Sequence, residues 1–247
     1  MENTPQLAMP TPTPEDPIEA LTGSAFQRLG TALVAVAKRP SRAAYATWMR
    51  VVEPGWIVPL LGVTLVIGML NGMMSAVEET FLRAPASHRV YYRFGAPSFA
   101  DHMIYSLFIS PLFGVIEFAL LMLFIAALMP AERGSLKERA IQVARPYLLA
   151  EIVTGLIFLL IFQPITVLGR TPVGENPLVG LVSSLVTLPI LVYIIVAELN
   201  ALAAGSGKNR WLLFGVWLLG GSIVAFIVPY GMGVLLYPFG IHVAVPF

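Results

Sequence analysis

Apolar residues in this chain gather into long unbroken runs, and charged residues stand between them. Five runs reach the roughly 20 residues that a helix needs to cross a bilayer. They span residues 56–75, 107–129, 147–168, 178–203 and 211–237, each bounded by charge, proline or glycine. The runs are continuous, whereas a membrane β-barrel has segments of about ten residues that alternate in polarity, so the pattern predicts helices.

Before the first run the pattern changes. Ile18, Leu21, Phe26, Leu29, Leu33 and Val36 recur at helical spacing until Pro40 interrupts them. Tyr45, Trp48, Met49 and Val52 then share a second face, with Arg42 and Arg50 elsewhere on the helix. Such faces suit helices lying in a membrane interface, or helices packed on the protein's own loops. The first residues, MENTPQLAMPTPTPEDP, have neither a basic start nor an apolar core, so they read as a disordered tail and not as a secretory leader.

Charge orients the runs. Eleven Lys and Arg fall on one side of the five spans: Arg28, Lys38, Arg39, Arg42, Arg50, Arg133, Lys137, Arg139, Arg145, Lys208 and Arg210. The other side holds Arg83, Arg89, Arg93 and Arg170. The excess places the N-terminus in the cytoplasm and, after an odd number of spans, the C-terminus outside. The expected fold is an all-α integral membrane protein: a bundle of five transmembrane helices preceded by cytoplasmic amphipathic helices. Its parts are a tail over 1–16, interfacial helices over 17–54, the five-span domain over 55–238 and an outer tail over 239–247. The 30-residue stretch from Val77 to Ser106 is the longest connection and carries Tyr91, Tyr92 and Phe94.

Composition agrees. Of 247 residues, 57% are hydrophobic and 12% charged, about half the charge of an ordinary soluble domain, and mean hydropathy is +0.80. A net charge of +1 offers no field to recruit nucleic acid. The absence of cysteine excludes disulfides, thiol catalysis and thiolate zinc sites. His88, His102 and His242 lack metal-ligand spacing, and no Ser/His/Asp set shares a membrane depth, so no metal, cofactor or catalytic residue is expected. AGSGKNR, residues 204–210, faintly suggests a phosphate loop. It lacks the upstream glycine and the Ser or Thr after Lys208, and reads as a turn between spans.

The candidate chemistry is therefore acidic. Glu117 interrupts PLFGVIEFALLMLF near the bilayer midplane, where a charged side chain costs on the order of 3 kcal/mol. Ser110 and Gly114 share its helix face as a small-xxx-small pair that admits a neighbouring helix, and Gly68 and Gly72 form a second such pair in the first span. Glu117 thus faces a neighbour, either as a hydrogen-bonded packing group or as a proton or ligand site. Glu151, about one turn into the third span with Arg145 nearby, is expected to benefit from the helix dipole. Glu198 and Asn200 arrive at the same depth on the fourth. These three form either an inward-opening polar site or a set of interfacial residues reaching water. Asn71 and Gln163 read as packing residues. Pro111, Pro164, Pro189 and Pro229 are expected to bend their helices. No internal repeat is visible, which argues against a transporter built from inverted repeats.

AVAKRPSRAAYATWMRVVEPGWIVPLLGVTLVIG, residues 35–68, leads through a basic, proline-marked amphipathic segment into a Trp/Pro-started span. LKERAIQVARPYLLAEIVTGLIFLL, residues 136–160, is a polar lead whose proline meets the membrane. With five spans and this orientation, the chain resembles the Yip-domain family of Ypt/Rab-interacting membrane proteins over roughly residues 24–230. The Asp-Leu-Tyr-Gly-Pro signature of eukaryotic members is absent. Glu53, Pro54, Gly55 and Pro59 are a loose echo of it, and the N-terminal part is short. The resemblance implies a membrane-organising or partner-binding role, with GTPase binding implied by it alone. The reading of the chain is a non-catalytic scaffold, adaptor or accessory subunit that contacts the lipid bilayer and either other membrane subunits or a second copy of itself. The alternative is a small transporter or proton-coupled permease component that uses Glu117.

Overall fold

The computed structural model describes residues 23–77, 99–104, 107–108, 110–169, 176–219, 231, 234 and 237–239. The expectations for Ile18, Leu21, the tail, most of the connection after Val77, His88, Pro229 and the second half of the fifth run lie outside them. Every regular element among the described residues is helical.

Helix α1, Ala25–Lys38, starts at a reciprocal cap. The Ser24 hydroxyl accepts from the Gln27 amide at 3.4 Å, and the Ser24 amide donates to Gln27 Oε1 at 2.8 Å. Pro40 ends the segment. Ser41 then caps α2, Arg42–Trp48, by accepting from the Ala44 amide. A short 3₁₀ turn, Pro54–Trp56, leads into α3, Ile57–Val77. Helix α4 is Phe99–Ile104 and α5 is Ser110–Ala127.

Helix α6, Leu136–Ile157, begins at a second capping box, formed by Ser135 and Glu138. It runs straight through Pro146. The third apolar run was expected to enter its helix near Tyr147, but the helix starts about three turns earlier. A π segment, Phe158–Phe162, joins α6 to α7, Gln163–Gly169. Pro164 supplies no amide proton to the turn before it, which fits an irregular turn at that place. Helix α8, Pro177–Ser206, has Asn176 as its N-cap and Pro177 in its first turn. It stops at Gly207, whose φ of +74° is the left-handed conformation that closes a helix, and whose amide bonds the Ala203 carbonyl at 3.0 Å. Asn209 accepts from the Trp211 amide and opens α9, Arg210–Leu219. AGSGKNR is thus a helix end and the next helix start, with no phosphate-loop geometry.

Among the described residues, three helices are long and apolar enough to cross a membrane: Pro54–Ser75, Leu136–Leu168 and Pro177–Ser206. Gly114–Ala127 and Arg210–Leu219 are shorter apolar helices. At 30 residues α8 is about 45 Å long, more than the roughly 30 Å of hydrocarbon in a bilayer. Its residues divide accordingly. From Leu178 to Val196 most side chains are exposed, among them Leu181, Leu185 and Leu188, as a lipid-facing surface would be. Its last turns, including Ala197, Ala201, Leu202 and Ala203, are fully buried.

What buries them is α6 on one side and the N-terminal helices on the other. Val36, Tyr45 and Val52 have no exposed surface and pack with Leu148, Leu149, Ile152 and Ala201. The two amphipathic segments therefore pack on the bundle itself. Leu29 and Leu33 join this core, but Phe26 points outward, 73% exposed, with its ring 5.0 Å edge-on from Trp56. A second cluster joins Met122 and Ile125 of α5, Val143 and Tyr147 of α6, Leu202 of α8 and Leu213 of α9. Helix α6 belongs to both clusters and is the central post.

Candidate functional site: a carboxylate cluster between four helices

The acids predicted to matter come together beside α6. Helix spacing places Tyr147 and Glu151 one turn apart on one face of α6, and the Tyr147 hydroxyl hydrogen-bonds the Glu151 carboxylate. Glu198 approaches from α8. Its Oε2 accepts from Trp217 Nε1 of α9 at 3.1 Å, and Thr154 of α6, whose hydroxyl donates to the Glu151 carbonyl oxygen at 3.4 Å, is among the groups acting on it. Glu117 of α5 acts electrostatically on both Glu151 and Glu198, and all three carboxylates act on Tyr147. Phe118, beside Glu117, sets its ring 6.0 Å from that of Tyr147 and closes the α5 side. Among the described residues, no Lys, Arg or His acts on Glu151 or Glu198. No group of three or more His, Cys, Asp or Glu among the described residues could hold a metal ion.

Two details differ from the expectation. Glu151 does not stand in a first turn. It lies about four turns inside α6, where the helix dipole contributes little, and Glu138 is the first-turn acid. Arg145 is not its partner, because its Nε donates to the Val52 carbonyl and so fastens the chain after α2. Glu117, expected alone at the midplane, sits in the same neighbourhood as the other two.

Asn200 is two residues beyond Glu198, so it points to another side of α8. Its Nδ2 donates to the Pro40 carbonyl at 2.7 Å, and its Oδ1 accepts from Arg210 at 3.4 Å. About two turns closer to the middle of α8, Tyr193 donates to the Ala37 carbonyl at 2.7 Å. These bonds hold the α1–α2 corner against α8. The Tyr193 bond also satisfies the Ala37 carbonyl, one of the last carbonyls of α1, which the end of the helix leaves without an amide partner. Arg133 covers the Ser206 carbonyl at the end of α8 in the same way, at 3.0 Å.

Tyr45 enters the seam between α6 and α8 from α2. Its hydroxyl is buried and makes no hydrogen bond, and the groups acting on it are Tyr193 and Glu198. Burial first, then these two neighbours, push its phenol above the ordinary tyrosine value.

One glycine of each small-residue pair read from the sequence is open. A Cβ on Gly68 or Gly114 meets no described atom within 4 Å. Gly72 follows Gly68 in α3, and Ser110 begins α5. The close backbone approaches occur instead at Gly155, against Ile67 of α3, and at Gly205, against Val143 of α6. Gln163 donates to Ser75 at 3.1 Å and ties α7 to α3, as a packing residue would. The participation of Tyr45, Tyr147, Tyr193 and Trp217 was not read from the sequence. Only the Tyr147–Glu151 spacing carried a visible signal.

No family model, curated protein or solved structure matches this chain.

Proposed function

We propose that the chain is a non-catalytic multi-pass membrane protein that serves as a scaffold, adaptor or accessory subunit of a membrane assembly. The observation that supports this most is how the interior polar groups are used. Trp217 to Glu198, Gln163 to Ser75, Asn200 to Pro40 and Tyr193 to Ala37 each tie one element to another. Groups used in this way build a rigid platform and leave few polar arms to line a substrate path. In this reading the chain crosses five times, α5 and α9 belonging to the second and fifth spans. The basic ends face the cytoplasm, and the open faces of α3 and α5 at Gly68 and Gly114 receive a partner helix or a second copy. The Yip-like entrance into α3 extends the reading to a membrane-organising role, with GTPase binding as its furthest consequence. Purification from the native membrane in mild detergent tests it. A fixed set of co-purifying subunits is expected, and a lone monomer would sink it.

A transport reading draws on one observation, the gathering of Glu117, Glu151 and Glu198 without a cation. Proton flux into liposomes, abolished by Glu117→Gln in an intact protein, is its test.

A further inference from the structure

Three buried or half-buried carboxylates between α5, α6 and α8 have, among the described residues, no basic side chain acting on the inner two. Charges removed from water need an opposite charge, a proton or a bound ion. The Trp217 bond to Glu198 orients that acid, and Tyr147 and Thr154 stand beside the pair, but none of these groups brings a positive charge.

A separate observation comes from α2. Tyr45 has no exposed surface, and its hydroxyl makes no hydrogen bond. Its ring packs against Leu148, Leu149 and Ala201, in the seam of α6 and α8, and Glu198 is one of the two groups that act on its hydroxyl. A buried hydroxyl without a partner costs free energy comparable to a lost hydrogen bond, so its lone pairs are available to a ligand in that seam. The oxygens gathered there are carboxylate and phenol or alcohol oxygens, which are hard donors. No group of three or more His, Cys, Asp or Glu among the described residues could hold a metal ion, so the acidic ligands of a divalent site are not gathered there. The donor set instead suits a singly charged ion held by one or two carboxylates and neutral oxygens.

We infer that Glu198 and Glu151, with the hydroxyls of Tyr45, Tyr147 and Thr154, form a binding site for an alkali cation, closed over by the N-terminal helix pair. The inference goes beyond the scaffold reading. A scaffold whose core holds such an ion is stabilised by it, and the ion couples the seating of α2 to the junction of α6 and α8. Loss of partner binding with ion binding kept, or the reverse, separates the two ideas.

The test is thermal unfolding of the purified full-length protein in detergent, titrated with NaCl or KCl against N-methylglucamine chloride at constant ionic strength. A saturable rise in Tm with sodium or potassium, absent with the organic cation, is expected. Glu198→Gln should remove it. Tyr45→Phe loses only an atom that makes no bond in the fold, so it should stay folded. It should need about three- to tenfold more cation for the same rise, the equivalent of one lost ligand contact. A rise equal in all three salts, or unchanged in Tyr45→Phe, overturns the proposal. If Glu198→Gln does not fold, the Tyr45→Phe midpoint alone decides it.

Discussion

The Cα of Val143 lies 2.7 Å from the point where a Cβ on Gly205 would stand, and the Gln142 carbonyl oxygen lies at 2.9 Å. Both obstructing atoms are backbone and cannot rotate away. Pro146 has a part in this closeness. It has no amide proton, so the carbonyl four residues earlier, that of Gln142, is released from the helical ladder and stands free towards α8. Gly205→Ala should therefore separate α6 from α8 and destabilise the protein by about 1–3 kcal/mol, the usual cost of overpacking. Gly68→Ala, which enters open space, should be neutral or stabilise by up to about 1 kcal/mol through helix propensity. Thermal unfolding in detergent compares the two. Equal shifts would show that the α6–α8 approach is looser than this geometry.

Trp217 and Glu198 join α9 to α8. Trp217→Phe removes the donor and should cost about 0.5–2 kcal/mol. Glu198→Gln keeps an acceptor oxygen and should cost less than Glu198→Leu, which keeps none. A double-mutant cycle between Trp217→Phe and Glu198→Leu reads the coupling directly. Strictly additive losses would mean that the two side chains do not interact.

The α1–α2 corner is held by two side-chain bonds to backbone carbonyls, from Tyr193 to Ala37 and from Asn200 to Pro40. Loss of about 1 kcal/mol of docking should raise the undocked population about fivefold. Trypsin cleavage after Arg42, which lies at the exposed start of α2, should accelerate by that factor in Asn200→Ala and in Tyr193→Phe. Unchanged rates would indicate that the apolar contacts of Val36 and Tyr45 hold the corner without these bonds.

Alkaline pH should act through Tyr45. Burial, Tyr193 and Glu198 raise its phenol in the folded protein above its unfolded value. The neutral phenol is thus the form that the fold accepts, and this contribution is complete below the unfolded value of about 10. It is lost as pH climbs from there towards the higher folded value. Tyr45→Phe has no proton to lose and should unfold at higher pH than the parent. An alkaline midpoint that is no higher in the variant would exclude Tyr45 as the group responsible.

The chain has no cysteine, so single cysteines report sidedness without background. Cysteines replacing Ser135 and Lys208 should react with an impermeant maleimide from the cytoplasmic side, and one replacing Asn176 from the opposite side. Labelling of Ser135→Cys and Asn176→Cys from the same side would overturn the orientation drawn from the basic residues.

Much of the architecture was legible because its causes are local. Helical character follows from apolar runs too long and too continuous to be strands. The end of α1 follows from Pro40, whereas its capped start at Ser24 and Gln27 was not read from the pattern. The end of α8 follows from Gly207, the residue able to hold φ at +74° there without strain. The unusual acids were visible because a carboxylate in an apolar run is costly wherever the run is placed. Proline misled in one place: Pro146 sits in a continuous α6, where its missing bond is absorbed beside Gly205.

The sequence by itself determined which segments are apolar helices, which end is basic and which polar residues needed an explanation, since each of these depends on neighbours along the chain. Only the tertiary structure decided what those residues meet. Tyr147 and Glu151 share a helix face, and spacing reveals that pair. The meeting of Glu198 with Trp217, and of Tyr45 with the α6–α8 seam, depends on how helices cross. Open GxxxG faces and a closed Gly205 look alike in a sequence, because a glycine states only that a helix can approach there. Which helix does approach is fixed by the packing of α6 against its neighbours, a property of the whole bundle.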